Sequence, residues 1–151
     1  PVMLEELLSN IVDFLGTRAK NKSQTLTMVK PDTALPTIKA DPLALESIFG
    51  NLITNAINYT QEGGEITVRV DLSGLNLRVQ VIDNGFGIDE RYLDKIFDRF
   101  FRVKNDKTRF ITGTGLGLPI VKGLVEALKG RISVESEPDK GTTFTVLIPV
   151  D

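Results

Sequence analysis

The sequence predicts a two-layer α/β sandwich, in which a mixed, mostly antiparallel sheet is covered on one face by about three helices. Three observations predict it. Apolar residues recur at helical spacing in three stretches, while two pairs of shorter runs alternate as strands do. The elements follow in the order α, β, α, β, β, loop, α, β, β, and the hairpins at both places demand antiparallel pairing. A single amphipathic layer of helices laid on one face of the sheet is the simplest packing of such a series.

Each element has its own signal. Val2 to about Lys20 carries Leu4, Leu7, Leu8, Ile11 and Leu15 at helical spacing, with Gly16 placed to loosen the last turns. A short strand follows at Thr25–Val29, and Pro31, Asp32 and Pro36 mark a loop. Asp41-Pro42 starts a second helix, a capping side chain followed by proline at the first position, and that helix runs to about Tyr59. Glu62-Gly63-Gly64 is a turn. Ile66–Leu72 and Leu77–Ile82 form a hairpin through Ser73-Gly74-Leu75-Asn76. Asp83 to Thr112 is rich in loops, with one or two short helical pieces. Leu116–Lys129 is a third helix closed by Gly130, and strands Ile132–Ser136 and Thr142–Ile148 flank a turn with Pro138 and Gly141.

Bulk properties narrow the function. The 151 residues suit one domain with one core, and nothing marks a repeat, a low-complexity stretch or an interdomain linker. No apolar run is long enough to cross a bilayer and no secretory signal is evident, so direct membrane contact is not expected. A net charge of −2 argues against nucleic acid as the main partner. The chain has no cysteine, which excludes disulfides and thiolate metal sites and is compatible with a cytoplasmic location. It also has no histidine, so it contains neither a histidine nucleophile nor a histidine phosphoacceptor. Beginning at Pro1, it reads as a piece of something longer or a processed product.

Three places carry chemistry. On the second helix Leu45, Ile48, Phe49, Leu52 and Ala56 form a broad apolar face, and Asn51, Asn55 and Asn58 form a narrow stripe along its border. Glu46, Gly50 and Thr54 fall on the far side, toward solvent. Asparagine is a mediocre helix former, and three half-buried amides need partners. Either a ligand cavity beside the helix or nearby loops and solvent supply them. The second place is Asp83-Asn84-Gly85-Phe86-Gly87. Asp83 continues the apolar alternation of Leu77, Val79 and Val81, and a carboxylate on such a face calls for a specific donor. Gly85 and Gly87 permit a sharp turn and close approach of a flat ligand, and an acceptor-only carboxylate suits the amino group of adenine; an ordinary turn with Asp83 on nearby amides is the plainer alternative. The third place is Gly113-Thr114-Gly115-Leu116-Gly117-Leu118-Pro119, alternating glycines leading into a helix whose Ile120, Val121, Leu124, Val125 and Leu128 point inward. Exposed amides at a helix start attract phosphate, although the spacing is neither the Rossmann nor the Walker pattern and a flexible hinge would look the same.

Between the second and third places, Ile96-Phe97-Asp98-Arg99-Phe100-Phe101-Arg102 reads as a short anchored segment with Arg99 and Arg102 available to a phosphate. Lys104–Thr112 is polar, basic and aperiodic, and reads as a mobile lid.

The order of these places resembles the N, G1, F and G2 boxes of the histidine kinase catalytic domain, over essentially the whole chain from Leu4-Glu5-Glu6-Leu7-Leu8 to Gly141-Thr142-Thr143-Phe144. The resemblance implies the Bergerat fold and a site for ATP and Mg²⁺. It implies that Asn55 holds Mg²⁺, that Asn51 lines the phosphates and that Tyr59 flanks the nucleotide. Asp83 would bond the adenine amino group, with Gly85 and Gly87 shaping that pocket. Arg102 would reach the γ-phosphate and, with Asn51, serve catalysis. Gly113, Gly115 and Gly117 would frame the lid, with Thr114, Leu116 and Leu118 as further nucleotide contacts. Many relatives carry lysine at the position of Asn58, so a phosphate contact there is weakened or comes from Lys104, Lys107 or Arg109. Many also carry glutamine where Ser47 stands.

Gyrase, mismatch-repair ATPases and heat-shock chaperones of this fold place a glutamate, the base for hydrolysis, four residues before the metal-binding asparagine. Here Asn51 stands there, and an amide does not take up a proton at neutral pH. The resemblance therefore implies transfer of the γ-phosphate to a histidine on a separate helical dimerisation and phosphoacceptor domain, with a response regulator as indirect partner in two-component signalling. Two other readings stay open: a nucleotide-sensing interaction module without transfer, and a gyrase-type ATPase. Transfer of label to a helical histidine domain separates the first from the expectation, and steady turnover by the isolated chain separates the second.

Overall fold

The computed structural model describes residues 1–98 and 117–150. The expected Arg99, Arg102, Lys104, Lys107, Arg109, Gly113, Thr114, Gly115 and Leu116 lie outside the described residues. The elements are α1 (Leu4–Asn21), β1 (Thr25–Val29), α2 (Pro42–Asn58), β2 (Glu65–Ser73), β3 (Asn76–Asp83), a short 3₁₀ turn at Glu90–Tyr92, α3 (Gly117–Ala127), β4 (Arg131–Glu137) and β5 (Gly141–Pro149). The strands form one five-stranded sheet in the order β1-β2-β3-β5-β4. Among the described residues only β1 and β2 pair in parallel; β2–β3 and β4–β5 are antiparallel as hairpins require, and β3–β5 is antiparallel across the segment that holds α3. The sheet is therefore mixed and mostly antiparallel, and the expected two-layer sandwich is what forms.

Alternation along the strands decides which face is covered. Ile66, Val68 and Val70 of β2, Leu77, Val79 and Val81 of β3, and Phe144, Val146 and Ile148 of β5 are buried in one cluster with the helices. The opposite face carries Asp71 and Arg78, paired directly across β2 and β3 and bridged by two hydrogen bonds. The central helix is α2. Its Asp41 cap accepts from the Leu43 amide at 2.9 Å, with Pro42 at the first position. Its buried face, Leu45, Ile48, Phe49, Leu52 and Ala56, is widened by Ile53 and Ile57, because α1 and α3 both pack against it.

Several expectations shift. Val2 does not begin α1; it makes an isolated bridge to Ile38, and the helix starts at Leu4. Gly16 does not loosen the helix, which continues to Asn21. Gly50 and Thr54 are half-buried along an open groove between α1 and α2, where α1 shields them from solvent; Glu46 is exposed as expected. Ile120 is 48% exposed, because the inward stripe of α3 runs through Leu118, Val121, Leu124, Val125 and Leu128. Gly130 is not the left-handed cap of α3. Lys129 takes that conformation at φ 62°, and the Gly130 amide donates to the Val125 carbonyl at 3.0 Å. Gly130 is needed for another reason: a Cβ there would lie 2.3 Å from the Leu147 carbonyl oxygen of β5.

Two kinds of glycine follow, and denaturation separates them. Gly141 has φ 129°, and a Cβ on it would lie 2.0 Å from the Asp83 carbonyl oxygen. Gly141→Ala should cost about 2 kcal/mol or more in urea unfolding. Gly16 sits mid-helix with nothing within 4 Å of a Cβ, so Gly16→Ala should stabilise by about 0.5–1 kcal/mol. Equal effects of the two substitutions would contradict this assignment.

Candidate nucleotide site

The site is built where β3 ends. Asp83 is the last residue of β3 and stands directly opposite Thr142 of β5. Its Oδ1 accepts from the Gly85 amide at 2.9 Å and from the Thr142 amide at 3.2 Å. These are its bonds among the described residues, and both fall on one oxygen. The carboxyl is largely buried, and burial pushes its pKa up to about 6 against the opposing pull of the Gly85 and Thr142 amides.

The glycines after Asp83 do something the sequence did not reveal. Each one lets protein backbone approach protein backbone. A Cβ on Gly85 would lie 2.3 Å from the Tyr59 carbonyl oxygen and within 3 Å of Thr60, at the C-terminal end of α2. A Cβ on Gly87, at φ 71°, would lie 2.0 Å from the Glu137 carbonyl oxygen. Phe86 completes both seats, its amide donating to Tyr59 and its carbonyl accepting from Asp139. At these two positions the chain makes close backbone approaches of its own.

Along α2 the three asparagines border the core as predicted, each half-buried. Asn51 donates to the Ser47 carbonyl at 2.7 Å, and its Oδ1 lies 3.4 Å from where a Cβ of Gly117 would be. The structure therefore brings the first glycine of α3 beside the asparagine stripe. Asn55 has no side-chain hydrogen bond among the described residues, and its carbonyl accepts from the Tyr59 amide. Asn58 turns to α1, where its Oδ1 accepts from Arg18 at 3.2 Å. Tyr59 closes the helix and is half-buried. Gly117 and Leu118 open α3, with Pro119 in its first turn. Phe97 packs edge-on against Phe144 and Ile96 is buried, which anchors the start of the phenylalanine-rich segment.

The comparisons with known proteins bear on this arrangement. Residues 40–151 match the model of the family described as histidine kinase-, DNA gyrase B-, and HSP90-like ATPase. The chain belongs to that family. Among its relatives, the sensor histidine kinase AtsR of Burkholderia thailandensis is 35% identical over all of this chain and 25% of its own length. The sensor histidine kinase WalK of Bacillus subtilis is 40% identical over 74% of this chain and 19% of its own. The chain thus spans about a quarter or less of these relatives. Among solved structures, the catalytic domain of histidine kinase ThkA is 28% identical with a TM-score of 0.84, covering 99% of this chain and 93% of that one. Full-length ShkA in complex with AMPPNP is 32% identical with a TM-score of 0.85, over 99% of this chain and 30% of that one. Of the relatives and solved structures named here, AtsR, WalK and ThkA are histidine kinases by name.

Seen as a member of this ATPase family, the chain has site residues that sequence reasoning missed. Thr142 is buried and lends Asp83 its amide, while its hydroxyl lies 2.8 Å from that of Ser136. Ser136 in turn accepts from the Ile88 amide at 2.7 Å and donates to the Gly141 carbonyl at 2.9 Å. The signal was present: Thr142 falls on the apolar face of β5, in phase with Phe144, Val146 and Ile148.

The raised pKa of Asp83 makes stability depend on pH with a definite sign. The folded chain holds this proton up to about pH 6, and the unfolded chain releases it near 3.8. Stability should therefore fall as pH rises from about 4 to about 6, by on the order of 3 kcal/mol from this group. Asp83→Asn keeps an acceptor for both amides and should remove that component. Urea unfolding of both proteins across this range checks it; parallel pH profiles would refute the burial of Asp83.

Proposed function

We propose that this domain binds MgATP and presents its γ-phosphate to a histidine on a separate helical domain of a sensor kinase. The observation that carries the proposal is the placement of Asp83. One oxygen is held by two backbone amides, and the other, which accepts no hydrogen bond among the described residues, is the acceptor assigned to an adenine amino group. The remaining residues are graded along α2. Tyr59 lies at the Asp83 end, and Asn51 lies two turns back, about 12 Å along the axis, beside the start of α3. That distance separates a base from its phosphates. The N-terminus of α3 adds a positive dipole end where the phosphates would lie.

The donor set suits magnesium. Asn55 offers a neutral, hard amide oxygen, and the described residues hold no cluster of three or more His, Cys, Asp or Glu able to cage a metal alone. Asn55 would hold Mg²⁺ at the phosphates, and the metal when bound would supply neutralisation of phosphate charge. Asn55 fixes the metal, and Asn51 lines the phosphates without acting as a base. With no proton acceptor at Asn51, water is not activated there, which favours a presented nucleophile. We assign the Arg102 guanidinium to the γ-phosphate, and Gly113, Thr114, Gly115, Leu116, Gly117 and Leu118 to the nucleotide, Arg102 and residues 113–116 lying outside the described residues. Asn58, already engaged by Arg18, contributes less than a lysine would. The chain has no histidine, so the acceptor comes from another domain.

Asp83→Asn should weaken ATP binding at least roughly tenfold in calorimetry; unchanged affinity would remove the adenine assignment. Asn55→Ala should abolish the strengthening of ATP binding by Mg²⁺, and equal strengthening in the variant would remove the metal assignment. With labelled ATP and a helical histidine domain of a relative, label should appear on that histidine. Tight binding with no transfer would favour a nucleotide-sensing module instead.

A further inference from the structure

Two side chains outside the four motifs converge on the C-terminal end of α2. Lys22 Nζ donates to the carbonyls of Ile57 at 2.9 Å and Thr60 at 3.0 Å. Gln24 Nε2 donates to the same two carbonyls, at 3.0 and 2.8 Å. Gln24 and Thr60 are buried. The last carbonyls of a helix lack partners within it, and water or local backbone usually serves. Here a cation and an amide from the α1–β1 connection serve, from more than 30 residues away.

The other side of the same turn faces the nucleotide site. Gly85 packs on the Tyr59 carbonyl and on Thr60, and the Phe86 amide donates to Tyr59 at 3.0 Å. The Gly85 amide is one of the two donors that hold Asp83. A shift of a few tenths of an ångström in Tyr59-Thr60 therefore moves Gly85 and the carboxyl it holds. The chain of contact runs from Lys22 and Gln24, through Thr60, to Gly85 and Asp83.

We propose that Lys22 and Gln24 are positioning residues of the nucleotide site, clamping the Tyr59-Thr60 turn so that Asp83 is aimed at the base. This rests on the reading of Asp83 as the adenine contact. A mere helix cap would affect stability and leave base preference untouched, whereas a positioning clamp governs preference.

The test compares ATP with inosine triphosphate, which carries a carbonyl in place of the adenine amino group and so offers Asp83 no donor there. Calorimetry on the 151-residue chain would give both affinities for the wild type, Lys22→Met, Lys22→Arg, Gln24→Leu and Asp83→Asn. The wild type should prefer ATP roughly tenfold or more. Lys22→Met and Gln24→Leu should lose most of that preference through weaker ATP binding, and Lys22→Arg, which keeps a charged donor, should retain it. Wild-type preference in both Lys22→Met and Gln24→Leu, whatever their melting temperatures, would overturn the clamp. A wild type with no preference, or Asp83→Asn with full preference, would instead overturn the adenine reading beneath it, and the clamp with it. Should Gln24→Leu fail to fold, the Lys22 pair decides alone.

Discussion

Three backbone carbonyls, those of Tyr59, Asp83 and Glu137, each lie against an α-carbon that bears no side chain. Gly85 meets the first, Gly141 the second and Gly87 the third. These contacts join the C-terminal end of α2, the end of β3 and the turn between β4 and β5 at one point. No residue with a Cβ fits any of them without displacing main chain. The position of Asp83 follows from this junction, since its two amide donors belong to residues that the junction fixes in place.

From that point the rest of the site is a matter of direction. The long central helix α2 leaves the junction at Tyr59 and carries Asn55 and Asn51 away from it, one turn apart, until Asn51 reaches the start of α3. An acidic region at the C-terminal end of α2 and an amide-rich, glycine-flanked region midway along it are thus held apart by one rigid element. The acidic end is partly desolvated, which raises the pKa of Asp83 and strengthens its interaction with a donor. The glycine-flanked end coincides with a helix N-terminus, which favours anions. A nucleotide has the same polarity, from base to phosphates.

The sequence disclosed most of this, for reasons that differ by element. Strand alternation read out the sheet and placed Asp83 in phase with the core, and the Asp41-Pro42 start located α2 to the residue. Helical spacing found the asparagine stripe. Spacing alone could not say which neighbours flank α2, so the half-burial of Gly50 and Thr54 under α1 escaped it. Glycines were legible as special and illegible as to why. Gly130 reads as a helix cap, yet Lys129 takes the left-handed turn and Gly130 yields to the Leu147 carbonyl. Lys22 and Gln24 left no local signal, because their partners lie more than 30 residues away. The order of the four motifs, more than any one of them, carried the family, and the family comparison agrees with it.

Everything proposed for this site requires that the Asp83 carboxylate accept a hydrogen bond from the base. Its most direct measure is the pKa of that carboxyl, followed by carbon NMR in the free chain and in the chain saturated with adenosine, whose lack of phosphates keeps their titration out of the signal. The free carboxyl should titrate near 6, and the bound one well below that, because a donor stabilises the ionised form. A pKa that stays near 6 at saturation would mean that Asp83 does not bond the base.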